Sequence, residues 1–529
     1  MLLIKKMRKL ILCLLALLIP VLLLAYNGQK VIPLESDVYS AIDTLYLLEG
    51  KALPSTTRPW TVAEAELYLS KVSETTSPEL YAMVSDAISE KGRISLDEMF
   101  DMSFKGYVSV TGYAHTDTDF VYPFNSMTNY LFKTKNEKPS LQASWEAWTG
   151  NHIYSFIWYQ YKNDFDAEKF SSYYFNFDIA NLTPDGVTSN VDQREPSRAF
   201  AVVGGKGWSL EIGRDRLLMG TGVTGSLILS NTLPYHNILR FSTFGSRYKY
   251  SFMMSFLPHL KDDRKGILFY MTHRLECRFA SDRLYAAVNE SIMYKNDNGF
   301  MDLRYVNPVM YFHNYFISDL ANSIVDLEVS YSFAKGWNLY TQIAIDQFTT
   351  PWEVADGDDT DPLAVGFLMG LRYVSLVRKG ILTVNLEGAY TMPYLYLRAT
   401  SIPEGSHVQD PEDPGLGYIG AYRGNKFYIG YVYGGDAVVI DLKGSYEVPG
   451  DWKGGAELTL MMHGEKNVNT LFDKADDSYA PSGDARRYMI LELTGKKSFE
   501  KDISVYFQYD LVVGDAQDNQ FVLGVEKSF

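Results

Sequence analysis

Cysteine is nearly missing from this chain of 529 residues, which has only Cys13 and Cys277. So few cannot form a disulfide framework, and the fold must rest on a packed core or a closed sheet. Long apolar runs are missing too. After the first 25 residues nothing is long and apolar enough to span a bilayer as a helix, and the mean hydropathy is −0.14. Positive charge is short: 49 Lys and Arg face 64 Asp and Glu, for a formal net charge of −15. Phosphates would be repelled by such a chain, so nucleic acid is not an expected partner. The sequence has no internal repeat, no low-complexity tract and no Gly-x-Ser-x-Gly elbow.

The first residues read as an export signal. Lys5, Lys6, Arg8 and Lys9 precede an apolar run from Leu10 to Leu24, and Ala25 is a plausible cleavage residue. That run is too short and too near the start to be a convincing spanning helix. Cys13 lies early in the run and is followed by Leu14 and Leu15, whereas a lipid-bearing Cys would close the run after a small residue. Cleavage would leave Cys277 alone, with no disulfide possible. Aromatics make up 14% of the chain and include 39 Tyr. Tyrosine suits surfaces that are apolar on one side and wet on the other, such as membrane interfaces and sugar-binding surfaces.

Three helices are expected next. Ser36 caps a run with Val38, Ile42, Leu45 and Leu48 on one face, stopped by Gly50. Thr61 and Glu64 have capping-box spacing ahead of Ala65, Leu67 and Leu69. Ser77-Pro78-Glu79 opens a third helix with Leu80, Met83, Val84 and Ala87, stopped by Gly92.

From about residue 103 the period becomes two. Residues Asp326 to Phe333 alternate strictly. Leu382, Val384, Leu386 and Tyr390 oppose Thr383, Asn385, Glu387 and Thr391. Ile503, Val505, Phe507, Tyr509 and Leu511 oppose Ser504, Gln508 and Asp510. A soluble sandwich buries its apolar face, whereas a membrane barrel turns it outward. The polar face here carries Glu387, Asp441, Lys443, Glu457, Glu492 and Asp510, which suits a wet lumen. The last strand, Phe521 to Phe529, is mostly apolar at alternate positions and closes on an aromatic, as an interfacial girdle requires. Long polar connections (Asn181 to Pro196, Trp352 to Pro362, Ile402 to Gly415, Asp473 to Arg486) alternate with short turns. The expected architecture is therefore an all-β transmembrane β-barrel of about 18 antiparallel strands preceded by a small N-terminal helical segment. Its divisions are a signal peptide over 1–25, a periplasmic helical segment over 30–100 and an outer-membrane barrel over 103–529.

Gly220-Thr221-Gly222-Val223-Thr224-Gly225 spells G-x-G-x-x-G. A dinucleotide site needs a helix to follow, and Ser226 to Pro234 has neither helical length nor helical period. The glycines fit a tight bend or close backbone approach at a barrel rim. The same stretch carries a resemblance. Gly213-Arg214-Asp215-Arg216, Gly220-Thr221-Gly222 and Gly225-Ser226-Leu227-Ile228-Leu229-Ser230-Asn231 resemble the central motif of the Wzi-type capsule assembly outer-membrane barrel family. Met219 and Thr221 stand where that pattern has Trp and Pro. Asn289-Glu290, Tyr305-Val306-Asn307-Pro308 and the stretch from Val38 to Thr61 add to the likeness. The resemblance implies a barrel preceded by periplasmic helices that fastens capsular or other surface polysaccharide by binding it. It marks Gly213, Arg214, Gly220, Gly222, Gly225, Ser226, Asn231, Glu290, Asn307 and Pro308 as motif residues.

Surface polysaccharide and outer-membrane lipids are thus the expected partners, without a cofactor or a catalytic or metal site. His273-Arg274-Leu275-Glu276 and His463-Gly464-Glu465 look metal-like, but no third ligand is in sight. Acidic clusters at Glu353, Asp356, Asp358, Asp359 and Asp361, and at Asp473, Asp476, Asp477 and Asp484, read as solvated outer loops. Divalent-ion bridging is the alternative for them. Trp352, Tyr396 and Tyr418, with Tyr394 and Tyr422, lie in or near long connections. They are candidate glycan contacts or, more plainly, girdle and loop-packing aromatics. The rival functions are a cation-preferring porin or solute channel, a barrel hydrolase and a structural adhesin.

Overall fold

The computed structural model describes residues 28–89, 94–97, 100–116, 138–150, 152–161, 173–176, 196, 198–258, 266–296, 298–299, 301, 304, 307, 321–347, 362–398, 416–422, 425–473, 476–499 and 502–529. The expected signal segment, Gly92, Pro308, Trp352 and the acidic cluster from Glu353 to Asp361 lie outside them.

Eighteen antiparallel strands close into a barrel. In chain order they are β1 (Phe100–His115), β2 (Leu141–Thr149), β3 (Ile153–Tyr161), β4 (Arg198–Gly205), β5 (Trp208–Asp215) and β6 (His236–Phe244). Then come β7 (Tyr248–Phe256), β8 (Ile267–Phe279), β9 (Leu284–Asn296), β10 (Ala321–Ala334), β11 (Trp337–Gln347) and β12 (Ala364–Val377). The last six are β13 (Gly380–Thr391), β14 (Ala437–Val448), β15 (Trp452–His463), β16 (Arg486–Phe499), β17 (Ile503–Gly514) and β18 (Asp518–Ser528). The seam is β18 on β1, with Val525 opposite Val110 and Phe521 opposite Ala114. Closure leaves the sheet no free edge, as a bilayer demands. Two short strands, Ile94–Asp97 and Tyr173–Phe175, also pair with β1.

Side chains alternate between two media. Leu442 is 47% exposed on the outer wall, while Asp441 beside it is wholly buried on the inner wall. Leu275, Leu327, Leu386, Leu460, Phe507 and Leu523 share the outer wall, and Arg274, Glu276, Glu328, Glu387 and Asp510 share the inner one. Asp441, Glu387 and Asp510 are inner charges expected from the polar periodicity. One outer patch departs from that pattern. Phe269, Met271, Ile292 and Tyr294 are buried there, with Met301 from the β9–β10 connection packed against them.

The barrel has unlike ends. Short turns such as 206–207, 280–283, 335–336 and 449–451 sit at one end, and most connections at the other are long. Three helices, α1 (Asp37–Leu48), α2 (Val62–Leu69) and α3 (Pro78–Ile88), lie against the short-turn end. Ser36 caps α1 by accepting from Val38 N. The Thr61–Glu64 capping box forms in full, and Pro78 begins α3, where its missing N–H is not needed. Their apolar faces make one core around Trp60, Tyr68, Leu45 and Val84, which Val374 and Ile381 of the barrel join. Backbone bonds tie the unit to the turns: Gly336 N donates to Leu47 O, and Ala52 N donates to Asp282 O at 2.8 Å.

Candidate functional site: a filled lumen and the rim above it

Residues 51–61, between α1 and α2, enter the lumen from the short-turn end and meet a set of buried charges. Arg274, with no exposed surface, reaches Glu328 Oε2 at 2.7 Å, Asp326 Oδ1 at 3.3 Å and Thr56 Oγ1 at 2.9 Å. The Thr57 amide and hydroxyl donate to Glu276 Oε1 at 3.1 and 2.5 Å. Lys249 Nζ bridges Glu64 at 2.5 Å and the Thr57 carbonyl at 3.0 Å. Arg240 pairs with Glu211 at 2.5 Å and donates to the Pro59 carbonyl at 2.9 Å. Buried charges are tolerated only when paired like this.

The connection between β5 and β6 folds inward to meet this segment. Leu218 and Met219 pair with Arg58 and Thr57 as a two-stranded antiparallel sheet separate from the barrel wall. Gly220 N then donates to Thr56 O at 3.1 Å. Gly220 has φ +134°, and a Cβ there would lie 2.4 Å from both Gln342 Nε2 and Ser226 Oγ. At Gly222 a Cβ would lie 1.9 Å from Gly225 O. Only glycine permits this bend. It sits inside the lumen rather than at the rim, because Glu387 on the inner wall of β13 draws it in. Val223 N, Thr224 N and Thr224 Oγ1 donate to that carboxylate at 2.7, 2.8 and 2.5 Å. Ser230 Oγ accepts from Ser226 N at 2.7 Å, and Leu227, Ile228 and Leu229 are fully buried.

From the long-connection end, residues 392–398, 416–422 and 425–436 fold down onto the same segment. Ser230 N donates to Ile429 O at 2.9 Å, and Thr232 Oγ1 donates to Tyr428 O at 2.6 Å. Tyr396 is buried and donates through its hydroxyl to Leu227 O at 2.6 Å. Tyr418 is buried too, its hydroxyl 2.6 Å from Ser291 O and 2.8 Å from Asn322 O. Three stretches of the chain, far apart in sequence, thus build one column through the lumen.

The structure gathers Gly220, Gly222, Gly225 and Ser226 with Tyr396 in this column. Gly213 and Arg214 belong to β5, where Arg214 donates to Asn237 Oδ1 at 3.1 Å and stacks on Tyr235. Asn231 accepts from Arg216 at 3.0 Å. Glu290 lies elsewhere, on the outer wall, 3.3 Å from His273, with neither exposed. Asn307 is exposed. The ring nitrogens of His463 face the Gly464 and Tyr433 carbonyls. Among the described residues no group of three His, Cys, Asp or Glu is placed to hold a metal.

Above the column, the described residues of the β15–β16 connection, 464–473 and 476–485, form part of the rim. Asp436, wholly buried, holds it by accepting from Lys466 N at 2.9 Å, Ser482 N at 2.8 Å and Ser482 Oγ at 2.5 Å. Asp476 pairs with Lys466 at 2.6 Å and accepts from the Tyr394 hydroxyl at 2.8 Å. The Lys466 hydrogen bond holds the Asp476 carboxyl well below the usual carboxylate range. Partial burial, with the hydrogen bond to Asp476, pushes the Tyr394 hydroxyl up to about 12. Tyr394 also packs edge-on against Phe472, ring centroids 5.2 Å apart. On this clamped loop Tyr479 stands 71% exposed, among exposed Glu465, Asp473, Asp477 and Asp484. The acidic residues were legible in sequence, but Tyr479 was not singled out. Its signal was a lone aromatic inside a polar, acidic connection.

No family model and no curated protein matches the chain. Among solved structures it is similar to Wzi of Escherichia coli, described as an outer-membrane protein involved in group 1 capsule assembly and a carbohydrate-binding β-barrel. Identity is 13%, 94% of this chain and 99% of that one are covered, and the TM-score is 0.62. Weaker likenesses are to OccD3 of Pseudomonas aeruginosa (10% identity, 83% and 93% covered, TM-score 0.42) and a loop-deleted OmpT of Vibrio cholerae (10%, 82% and 100%, 0.37). The fold is that of an outer-membrane β-barrel, and the outer membrane is where the chain resides.

Proposed function

We propose that this barrel fastens surface polysaccharide to the cell, in capsule assembly or a related coat, by binding glycan at its long-connection mouth. In outer-membrane barrels long connections face outward and short turns face the periplasm. That orientation makes α1 to α3 the periplasmic unit over the expected 30–100 segment, with the barrel over 103–529 and the cleaved signal over 1–25. The observation that carries the reading is the column. Segments 51–61 and 216–235 and the described residues of 392–436 meet inside the barrel through Met219–Thr57 and Ser230–Ile429 contacts, which favours binding at the rim over conduction. The carbohydrate binding stated for Wzi agrees with it. Affinity would come from many weak contacts summed along a polymer. Trp352 is a proposed contact. Tyr396 and Tyr418, beneath the surface, serve by tying their connection to Leu227, Ser291 and Asn322. The reading requires no catalysis and no cofactor; outer-membrane lipids contact the apolar outer wall.

Deletion of the protein tests the reading. Cells lacking it are expected to shed their polysaccharide coat into the medium at undiminished total synthesis. A coat retained in full overturns the anchoring role.

A further inference from the structure

On β10, β11, β12, β14 and β15 the outer wall near the short turns is aromatic. Phe333 packs against Trp337 with ring centroids 6.0 Å apart, and Trp337 against Tyr373 at 4.5 Å. Tyr446 and Trp452 continue the belt at 5.3 Å, and the Tyr446 hydroxyl joins its two parts by donating to Val377 O at 2.9 Å. Just beyond the belt stand three exposed cations, Lys335 in the β10–β11 turn and Arg378 and Lys379 in the β12–β13 turn. None of the three forms an ion pair among the described residues. The neighbouring carboxylates Glu447 and Glu49 are held by Lys453 at 3.3 Å and Lys51 at 2.6 Å. Further round the barrel Lys497 is paired with Asp451, so the free positive charge is concentrated at the β10–β13 turns.

We infer that this sector seats an anionic glycerophospholipid of the inner leaflet, with its phosphate on Lys335, Arg378 and Lys379 and its glycerol and upper acyl chains on the Phe333–Trp337–Tyr373 ladder. The inference rests on the outer-membrane location and on the short turns facing the periplasm, and is independent of glycan binding. Trp and Tyr have an apolar body and a polar tip, so a belt of them marks the depth at which hydrocarbon gives way to headgroups. Turn residues just beyond that depth meet phosphates. Cations there attract anionic lipid, and a guanidinium binds phosphate oxygens in pairs. A zwitterionic headgroup brings an ammonium that the same three cations repel. The seat is also held in place. Gly336 N donates to Leu47 O of α1, Val374 N donates to Gly336 O at 2.8 Å, and a Cβ at Gly50 would lie 3.5 Å from Lys335 Cγ. A turn pinned by the helical unit loses little freedom when a ligand binds.

The test delipidates the full chain in a nonionic detergent and titrates it with short-chain phosphatidylglycerol, phosphatidylcholine or inorganic phosphate, counting bound molecules by native mass spectrometry. Phosphatidylglycerol is expected to bind in preference to phosphatidylcholine and to resist displacement by phosphate. A triple variant, Lys335→Gln with Arg378→Gln and Lys379→Gln, should weaken phosphatidylglycerol binding at least about tenfold and abolish the preference. A control pair at other short turns, Lys206→Gln with Arg247→Gln, should leave it intact. Equal binding of the two lipids, a preference kept by the triple variant, or an equal loss in the control pair overturns the inference. Displacement by inorganic phosphate overturns the lipid assignment in favour of a free-anion site.

Discussion

At Arg274 one guanidinium faces Glu276, Asp326 and Glu328, all buried on the inner wall. Its hydrogen bond to Thr56 also ties the barrel to the inserted segment. Removing the cation leaves three carboxylates desolvated and mutually repelling. Arg274→Ala is expected to destabilise the barrel by about 3–5 kcal/mol, the usual cost of stranding a buried charge, read as a lower urea midpoint in micelles. A quadruple variant that also carries Glu276→Gln, Asp326→Asn and Glu328→Gln should recover much of that loss. In sequence, Arg274 drew notice only through the metal-like neighbours His273 and Glu276. Strand alternation separates those two, sending His273 to the outer wall and Glu276 to the lumen.

Among the elements, the inward connection after β5 has the largest consequence. Its apolar triplet Leu227-Ile228-Leu229 is buried against Tyr396, Tyr431 and Leu395. Glu387, Gln342 and Ser230 satisfy its backbone donors. The intact protein is expected to give no large steady conductance in planar bilayers. Replacing residues 217–234 with a short Gly/Ser turn should produce steady openings, because the contact between the two mouths' segments is lost. Large openings from the unaltered protein would instead favour the channel reading. The glycines were legible as a tight bend, followed by a stretch with neither helical length nor helical period. Its location in the lumen was not, because Glu387 and Tyr396 lie more than a hundred residues away along the chain.

Over the whole molecule, neighbouring residues face opposite solvents. Leu442 meets lipid and Lys443, one position on, pairs with Glu457 inside. Leu442→Arg, near the middle of β14, is expected to cost about 2–4 kcal/mol of barrel stability in bilayers, measured by denaturant unfolding from vesicles. A charge at position 443 is already accommodated. This contrast separates a membrane barrel from a sandwich and follows from period-two alternation with ionisable residues on the polar face.

The helices, their caps, the strands and the outward apolar wall were set by the amino-acid sequence alone. Each depends on residues a few positions apart: Ser36 with Val38, Thr61 with Glu64, Leu442 with Asp441. Only the tertiary structure decided that three distant segments meet inside the lumen, that Glu290 pairs with His273 on a covered patch of the outer wall, and that Tyr479 stands clear on a loop clamped by Asp436. Those outcomes arise from contacts across long stretches of chain, Thr57 with Met219 and Thr224 with Glu387 among them. Local pattern carries no information about which distant partners a closed barrel will bring together.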